Sequence, residues 1–382
     1  MSMDRNRPSG QARAYLVAIG VALLAMLAQA SPAIAVPGDF WGVSPQATPS
    51  PEEFQRLRTG GVDSVRIPIS WAAVQPFSGS EANFSASDAL VGGAAAAGIE
   101  VLPFLYDAPA WAVPPARVPG PGNVKAPRSL PVESGAERAA WSSFVKLVVA
   151  RYGPGGSFWT ANPGLPKRPV RTWQIWNEEN FKYFVVRPNP VEYGKLVSLS
   201  FAAIRSVDPG AKLILGGMFA RPKEAQFKGK PPQAYFATDF LDKLYRSTPG
   251  IKTKFAGVAL HPYVSKYQLL TPEIEEFRRV LSLNHDAGKQ LWITEIGWSS
   301  ERESKSDSFA KGPRGQVTQL KGAFNVFMRK AAAWKLRRIY WFSVDDQPNA
   351  CNFCGGSGLF GPGFVPKKSW FAYVHFAGGR PG

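Results

Sequence analysis

The chain has 382 residues, 45% of them hydrophobic and 13% aromatic, which is enough apolar material to bury a core in one large domain and excludes a disordered or low-complexity chain. Its formal charge of +17 marks a strongly basic protein, but the lysines and arginines are dispersed, with modest clusters at 221–230, 335–338 and 367–368, and they lack the interleaved aromatics of a nucleic-acid surface. Three histidines and two cysteines are too few for a histidine-rich metal hydrolase or a four-ligand zinc site.

In chain order, Arg5, Arg7 and Arg13 precede an apolar stretch over 14–30. The small-residue triplets Ala28-Gln29-Ala30 and Ala33-Ile34-Ala35 follow. This is the pattern of a secretory leader with two A-x-A cleavage sites. An uncleaved anchor is the rival, because the stretch is close to spanning length, but the placement of the small residues favours cleavage. The expected division is a leader over 1–35 and one domain over 36–382. The leader carries +2, which leaves about +15 on the mature chain. The mature protein is expected to be exported, without stable membrane insertion. Its basic charge reads either as a solvated surface, the reading favoured here, or as an attraction for an acidic polysaccharide, an anionic cell wall or a phosphate-rich surface.

Short apolar runs at 40–43, 64–69, 100–105, 172–176, 212–216, 257–261, 290–294 and 338–342 read as strands. Helical segments at 51–60, 86–98, 136–152, 190–207, 235–247, 272–288 and 317–334 separate or follow them. An eightfold strand and helix alternation predicts parallel strands with right-handed crossovers, the (β/α)8 TIM barrel of the α/β class. A doubly wound sheet is the alternative, but there is no G-x-G-x-x-G after the first strand and no P-loop. The proline- and glycine-rich connection 107–135 is expected to form a lid beyond the third strand, in which Trp111 either faces a sugar or plugs the loop. The stretch 153–169 falls at the opposite rim.

Two of the strands end in carboxylates. Trp173-Gln174-Ile175-Trp176 runs into Asn177 and Glu178, and Leu291-Trp292-Ile293-Thr294 runs into Glu295. Either glutamate alone is equally readable as a loop salt bridge or a helix cap. Together, 117 residues apart in sequence and at one barrel rim, they are the minimum apparatus for cleaving a glycosidic bond. Arg66 in VRIPISW is the candidate cation and Tyr263 in ALHPY the candidate phenol that would keep one of the two carboxylates ionised, and that charge would in turn raise the pKa of the other.

With Asn177-Glu178 after an apolar strand, and Thr294-Glu295 followed by Ile296-Gly297-Trp298, the chain resembles the retaining glycoside hydrolases of clan A, nearest in style to families 39 and 5. The resemblance implies a barrel with Glu178 as general acid and base and Glu295 as nucleophile, at the ends of strands four and seven. It also implies double displacement on β-glycosidic bonds of an oligo- or polysaccharide, with no cofactor or metal. Asn177 would contact a sugar 2-hydroxyl, and Trp341 in YWFSVDD would form an aromatic floor. Arg66 and Tyr263 match positions where clan members commonly hold such residues.

His261 reads either as a substrate or tuning residue or as a satisfied structural histidine. Trp41, Trp71, Trp298 and Trp341 are candidate stacking platforms, whereas Trp173, Trp292 and Trp334 read as packing. Glu179 is the rival to Glu178 and is expected to diverge from it. Cys351 and Cys354 are expected to form a disulfide that shapes the loop after the eighth strand. The competing functional reading is a carbohydrate-binding or cell-surface barrel without turnover. Paired carboxylates and Arg66 argue against it.

Overall fold

The computed structural model describes residues 36–113, 129–223, 232–348 and 354–382. Eight parallel strands close into a barrel in sequence order. They are β1 (Trp41–Ser44), β2 (Ser64–Ser70), β3 (Glu100–Tyr106), β4 (Thr172–Ile175), β5 (Lys212–Phe219), β6 (Gly257–His261), β7 (Gln290–Ile296) and β8 (Leu336–Phe342). Between them run α1 (Pro51–Thr59), α2 (Trp71–Val74), α3 (Ser85–Ala96), α4 (Gly135–Tyr152), α5 (Ser157–Ala161), α6 (Pro190–Val207), α7 (Ala237–Ser247), α8 (Leu270–Leu283), α9 (Gly312–Trp334) and, after β8, α10 (Lys368–Ala377). This is the expected (β/α)8 architecture, with β5 and β7 running slightly further toward the carboxyl-terminal rim than the sequence suggests. Pro37–Gly382 form one compact unit. The leader expected over 1–35, the central part of the proposed lid at 114–128 and Cys351 lie outside the described residues. Among the described residues no helix is long and apolar enough to cross a membrane.

Local chemistry explains where the helices start. Ser50 and Glu53 form a reciprocal capping box in front of α1, with the Glu53 amide donating to Ser50 Oγ at 3.2 Å and the Ser50 amide donating to Glu53 Oε2 at 2.8 Å. Asn189 caps α6 through the Val191 amide, and Pro190 opens that helix where a missing N–H costs nothing.

The barrel interior is filled by Leu102, Ile214, Ala259, Trp292 and Tyr340. The two large rings fit because glycine stands beside each: a Cβ on Gly257 would lie 2.0 Å from the Trp292 ring, and one on Gly42 would lie 2.5 Å from Tyr340. At the start of the strands, Asp39 receives hydrogen bonds from Arg337 and Arg338, and Arg338 Nη2 also donates to Glu100 Oε2 at 2.7 Å. Two members of the 335–338 basic cluster are thus engaged in an ion-pair network instead of being freely solvated.

Candidate active site

Three strand ends bring the chemistry together. Glu178 follows β4, His261 closes β6 and Glu295 lies near the end of β7. One carboxylate oxygen from each glutamate and one imidazole nitrogen all lie within 4.8 Å of one another, and all three residues are buried. The chain reaches this arrangement through unusual backbone: Trp176 and Glu178 have φ of 71° and 44°. Such left-handed geometry in non-glycine residues costs about 1–3 kcal/mol each and gathers at functional sites.

Glu295 is held on both oxygens. Arg66 Nη1 donates to Oε1 at 2.7 Å and the Tyr263 hydroxyl donates to Oε2 at 2.9 Å. Arg66 is itself almost fully buried, and its other donors reach Gln174 Oε1 at 2.7 Å and Asn177 Oδ1 at 2.6 Å. One guanidinium therefore orients a carboxylate, an amide beside the second carboxylate and the strand residue beneath it. Gln174 is polar in an otherwise apolar strand, and that was its available signal in the sequence.

Glu178 is placed differently. Its Oε1 lies 2.9 Å from His261 Nδ1, while His261 Nε2 lies 3.0 Å from Thr294 Oγ1. Burial, and then the charge of Arg66, push the His261 pKa well below its ordinary value. A neutral imidazole brings no positive charge to strip the proton from Glu178. Burial first, and then repulsion from Glu295, push Glu178 well above the usual carboxylate range. Burial also raises Glu295, but Arg66 and Tyr263 oppose it. Of the pair, Glu178 holds the proton and Glu295 the charge. Glu178, His261 and Glu295 are close enough to surround a cation, yet both Glu295 oxygens already accept hydrogen bonds and the Arg66 charge opposes a second positive centre.

No family model matches the sequence. A β-xylosidase of Geobacillus stearothermophilus is 26% identical over 219 residues, which cover 54% of this chain and 41% of that protein, so the chain spans less than half the length of this curated relative. A family 39 glycoside hydrolase from Bacteroides cellulosilyticus WH2 superimposes with a TM-score of 0.61 at 19% identity, covering 90% of this chain and 64% of that one. A family 5, subfamily 18 protein from Bifidobacterium longum superimposes with a TM-score of 0.59 at 13% identity, covering 89% and 78%. Both solved structures share the barrel fold of this chain. At these identities the structural likeness is one of fold, and it takes in both of the families that the sequence resembles.

On this barrel, the aromatic assignments need correction. Trp298 and Trp341 are both fully enclosed. Their indole N–H groups donate to Val264 O at 2.8 Å and Ser357 O at 3.0 Å, and Trp341 packs on Phe324 of α9. Neither presents a face to a sugar. The reason is strand parity: Tyr340 belongs to the inward layer, so Trp341 turns outward and Phe342 turns back in. The ring at the β8 end that shares the inward face is Phe342. Trp41 and Trp71 are likewise in the wall, Trp41 against Phe324 and Trp71 stacked on Phe144 of α4. Trp111 is 36% exposed, and its indole N–H is pinned to Gln75 O at 2.8 Å with the ring edge-on to Trp71. It anchors the start of its loop. Cys354 is disulfide-bonded, and its expected partner Cys351 lies outside the described residues.

Glu179 diverges from Glu178, and adjacent glycines of β5 show how. A Cβ on Gly216 would lie 1.9 Å from Glu179 Oε2, whereas one on Gly217 would lie 1.9 Å from His261 Nε2 and 2.6 Å from Thr294 Oγ1. Gly216 makes room for Glu179 on the helical side and Gly217 makes room for His261 on the barrel side. Glu179 is fully buried, neither of its oxygens makes a hydrogen bond of good geometry, and burial lifts its pKa to about 8 despite the nearby Tyr193 hydroxyl. The unfolded chain releases this proton near 4.5 and the folded chain near 8, so the folded state holds the extra proton and stability falls as pH rises through that window. Glu179→Gln removes the penalty. Its stability advantage over the unmodified protein should grow from pH 5 to pH 8, reaching a few kcal/mol (on the order of 1.4 kcal/mol per pH unit at most). Chemical denaturation at several pH values checks this, and an advantage that stays constant with pH would count against a protonated Glu179.

Proposed function

We propose that this chain is an exported retaining glycosidase that cleaves β-glycosidic bonds of an oligo- or polysaccharide by double displacement. The observation that carries the reading is that one carboxylate oxygen of Glu178 and one of Glu295 lie within 4.8 Å of each other, with Glu295 clamped by Arg66 and Tyr263. Retaining enzymes bring their carboxyl groups to about 5–5.5 Å, whereas inverting enzymes leave about 6.5–9.5 Å for an intervening water. The β-xylosidase relative supports the substrate class, and the leader-like amino terminus supports export.

In the first step Glu295 attacks the anomeric carbon and forms a glycosyl ester. The bond to the leaving oxygen breaks as Glu178 gives that oxygen its proton. The emptied Glu178 carboxylate then takes a proton from water, and the water oxygen attacks the same carbon and expels Glu295. Because Oδ1 of Asn177 is occupied by Arg66, its amide N–H groups are the ones left to donate to a sugar hydroxyl.

Proton NMR of the first product formed from an aryl β-glycoside tests the proposal. The β-anomer should appear first and mutarotate afterwards. First appearance of the α-anomer would replace retention with inversion, and binding of sugar without any turnover would favour the carbohydrate-binding barrel.

A further inference from the structure

A series of aromatic rings leads from the nucleophile's partner to solvent. Tyr263, whose hydroxyl donates to Glu295, stacks on Phe219 at 5.7 Å and 27° between ring planes. Phe219 lies 5.5 Å from Phe181, and Phe181 meets Tyr183 edge-to-face at 4.6 Å. Phe181 and Tyr263 are almost buried, but Tyr183 is 40% exposed. The mechanism uses only the first ring. A single exposed aromatic means little, whereas Tyr183 is the outer end of a packed series. It is also fixed by its neighbours: Lys182 Nζ lies 5.8 Å from its ring centroid and donates to Gln233 Oε1 at 3.1 Å.

Position supplies the second half of the argument. The segment bearing Tyr183 is the one that delivers Glu178, and the Phe181 amide donates to Glu178 O at 2.8 Å. Tyr183 lies five positions after Glu178, so their Cα atoms lie within about 18 Å of each other whatever course the segment takes. That limit keeps Tyr183 in the loop beyond β4, at the same barrel rim as Glu178, the carboxyl assigned to protonate the leaving group. Sugar rings offer apolar C–H faces to a phenol held in this way.

Resting on the glycosidase reading above, we propose that Tyr183 is a specificity-determining platform for the leaving-group side of the substrate, and that the natural substrate is a glycan chain continuing past the cleaved bond, as opposed to a glycoside of a small aglycone. The test compares Tyr183→Ala and Tyr183→Phe with the unmodified enzyme. The substrates are an aryl β-glycoside, chosen from a panel of β-xyloside, β-glucoside and β-mannoside, and the matching β-1,4-linked oligosaccharides of two to six units.

For the longer oligosaccharides Tyr183→Ala should lower kcat/KM about tenfold, chiefly through KM. Turnover of the aryl glycoside should stay unchanged, and Tyr183→Phe should behave as the unmodified enzyme. Equal losses on aryl and oligomeric substrates, or no loss on either, would overturn the assignment while leaving the glycosidase reading intact. If the unmodified enzyme hydrolyses nothing in the panel, both readings fall.

Discussion

Glu295→Ala should lower hydrolysis by about 10,000-fold or more on every substrate, because it removes the carboxylate that forms the glycosyl ester. Glu178→Ala should behave differently. It removes the proton donor for the leaving oxygen but leaves the Arg66 and Tyr263 clamp on Glu295 intact. A substrate with a good leaving group, such as a dinitrophenyl glycoside, needs little protonation and should still form the ester. Sluggish release of the sugar would then limit the rate.

Azide separates the two roles further. In Glu178→Ala it would attack the ester in place of activated water and give a glycosyl azide of retained configuration. In Glu295→Ala it would occupy the nucleophile's place and give the inverted azide. Steady-state rates across a leaving-group series, with NMR of the azide products, check both arms. Similar residual activity in the two variants, or the same azide anomer from both, would remove these residues from their assigned roles.

Much of this was legible because the relevant signals are local. Each strand is a short apolar run with its own flanks, and Glu178 and Glu295 stand where such runs end. What was less legible depended on single-residue parity or on partners distant in sequence. The end of an apolar run cannot be located to one residue, and a shift of one residue sends a side chain to the opposite face of the sheet. This is why Trp341 reads as a floor in the sequence although Phe342 takes the inward position. Trp298 reads as a platform for a similar reason, since a large aromatic beside a catalytic motif does not announce that its indole will be tied to Val264 O.

The sequence leaves His261 open between a tuning and a structural role. The structure places its Nδ1 2.9 Å from Glu178 and 3.6 Å from Glu295, a position set by β5, since only a residue without Cβ at 217 leaves room for the imidazole. The pairing of Arg337 and Arg338 with Asp39 crosses nearly the whole chain and has no local signature. The series of rings from Tyr263 to Tyr183 is assembled from the segments after β4 and β6 and the last residue of β5. Of its members only Tyr263 is marked by a sequence motif.

Arg66 is the residue on which the electrostatic difference between the carboxylates most depends, and Arg66→Met should show this in three measurements. Stability should fall by about 3–5 kcal/mol, because the change leaves a buried carboxylate without its counter-charge. Loss of the clamp on Glu295 and Asn177 should lower kcat/KM by about 1,000-fold. The pH profile gives the most specific test. Arg66 lowers the pKa of both glutamates, and it acts on Glu295 through a direct hydrogen bond as well as through its charge. Without it both limbs of the profile should move to higher pH. The acid limb, which requires Glu295 to be ionised, should move further, so the active window narrows as it shifts.

Arg66→Lys separates charge from geometry. An ammonium restores a positive centre beside Glu295 but cannot reach Gln174, Asn177 and Glu295 together with the planar fork of a guanidinium. The acid limb should therefore return most of the way while kcat/KM remains depressed. An acid limb that stays in place in Arg66→Met would mean that Tyr263 alone keeps the nucleophile ionised, and would demote Arg66 to a packing role.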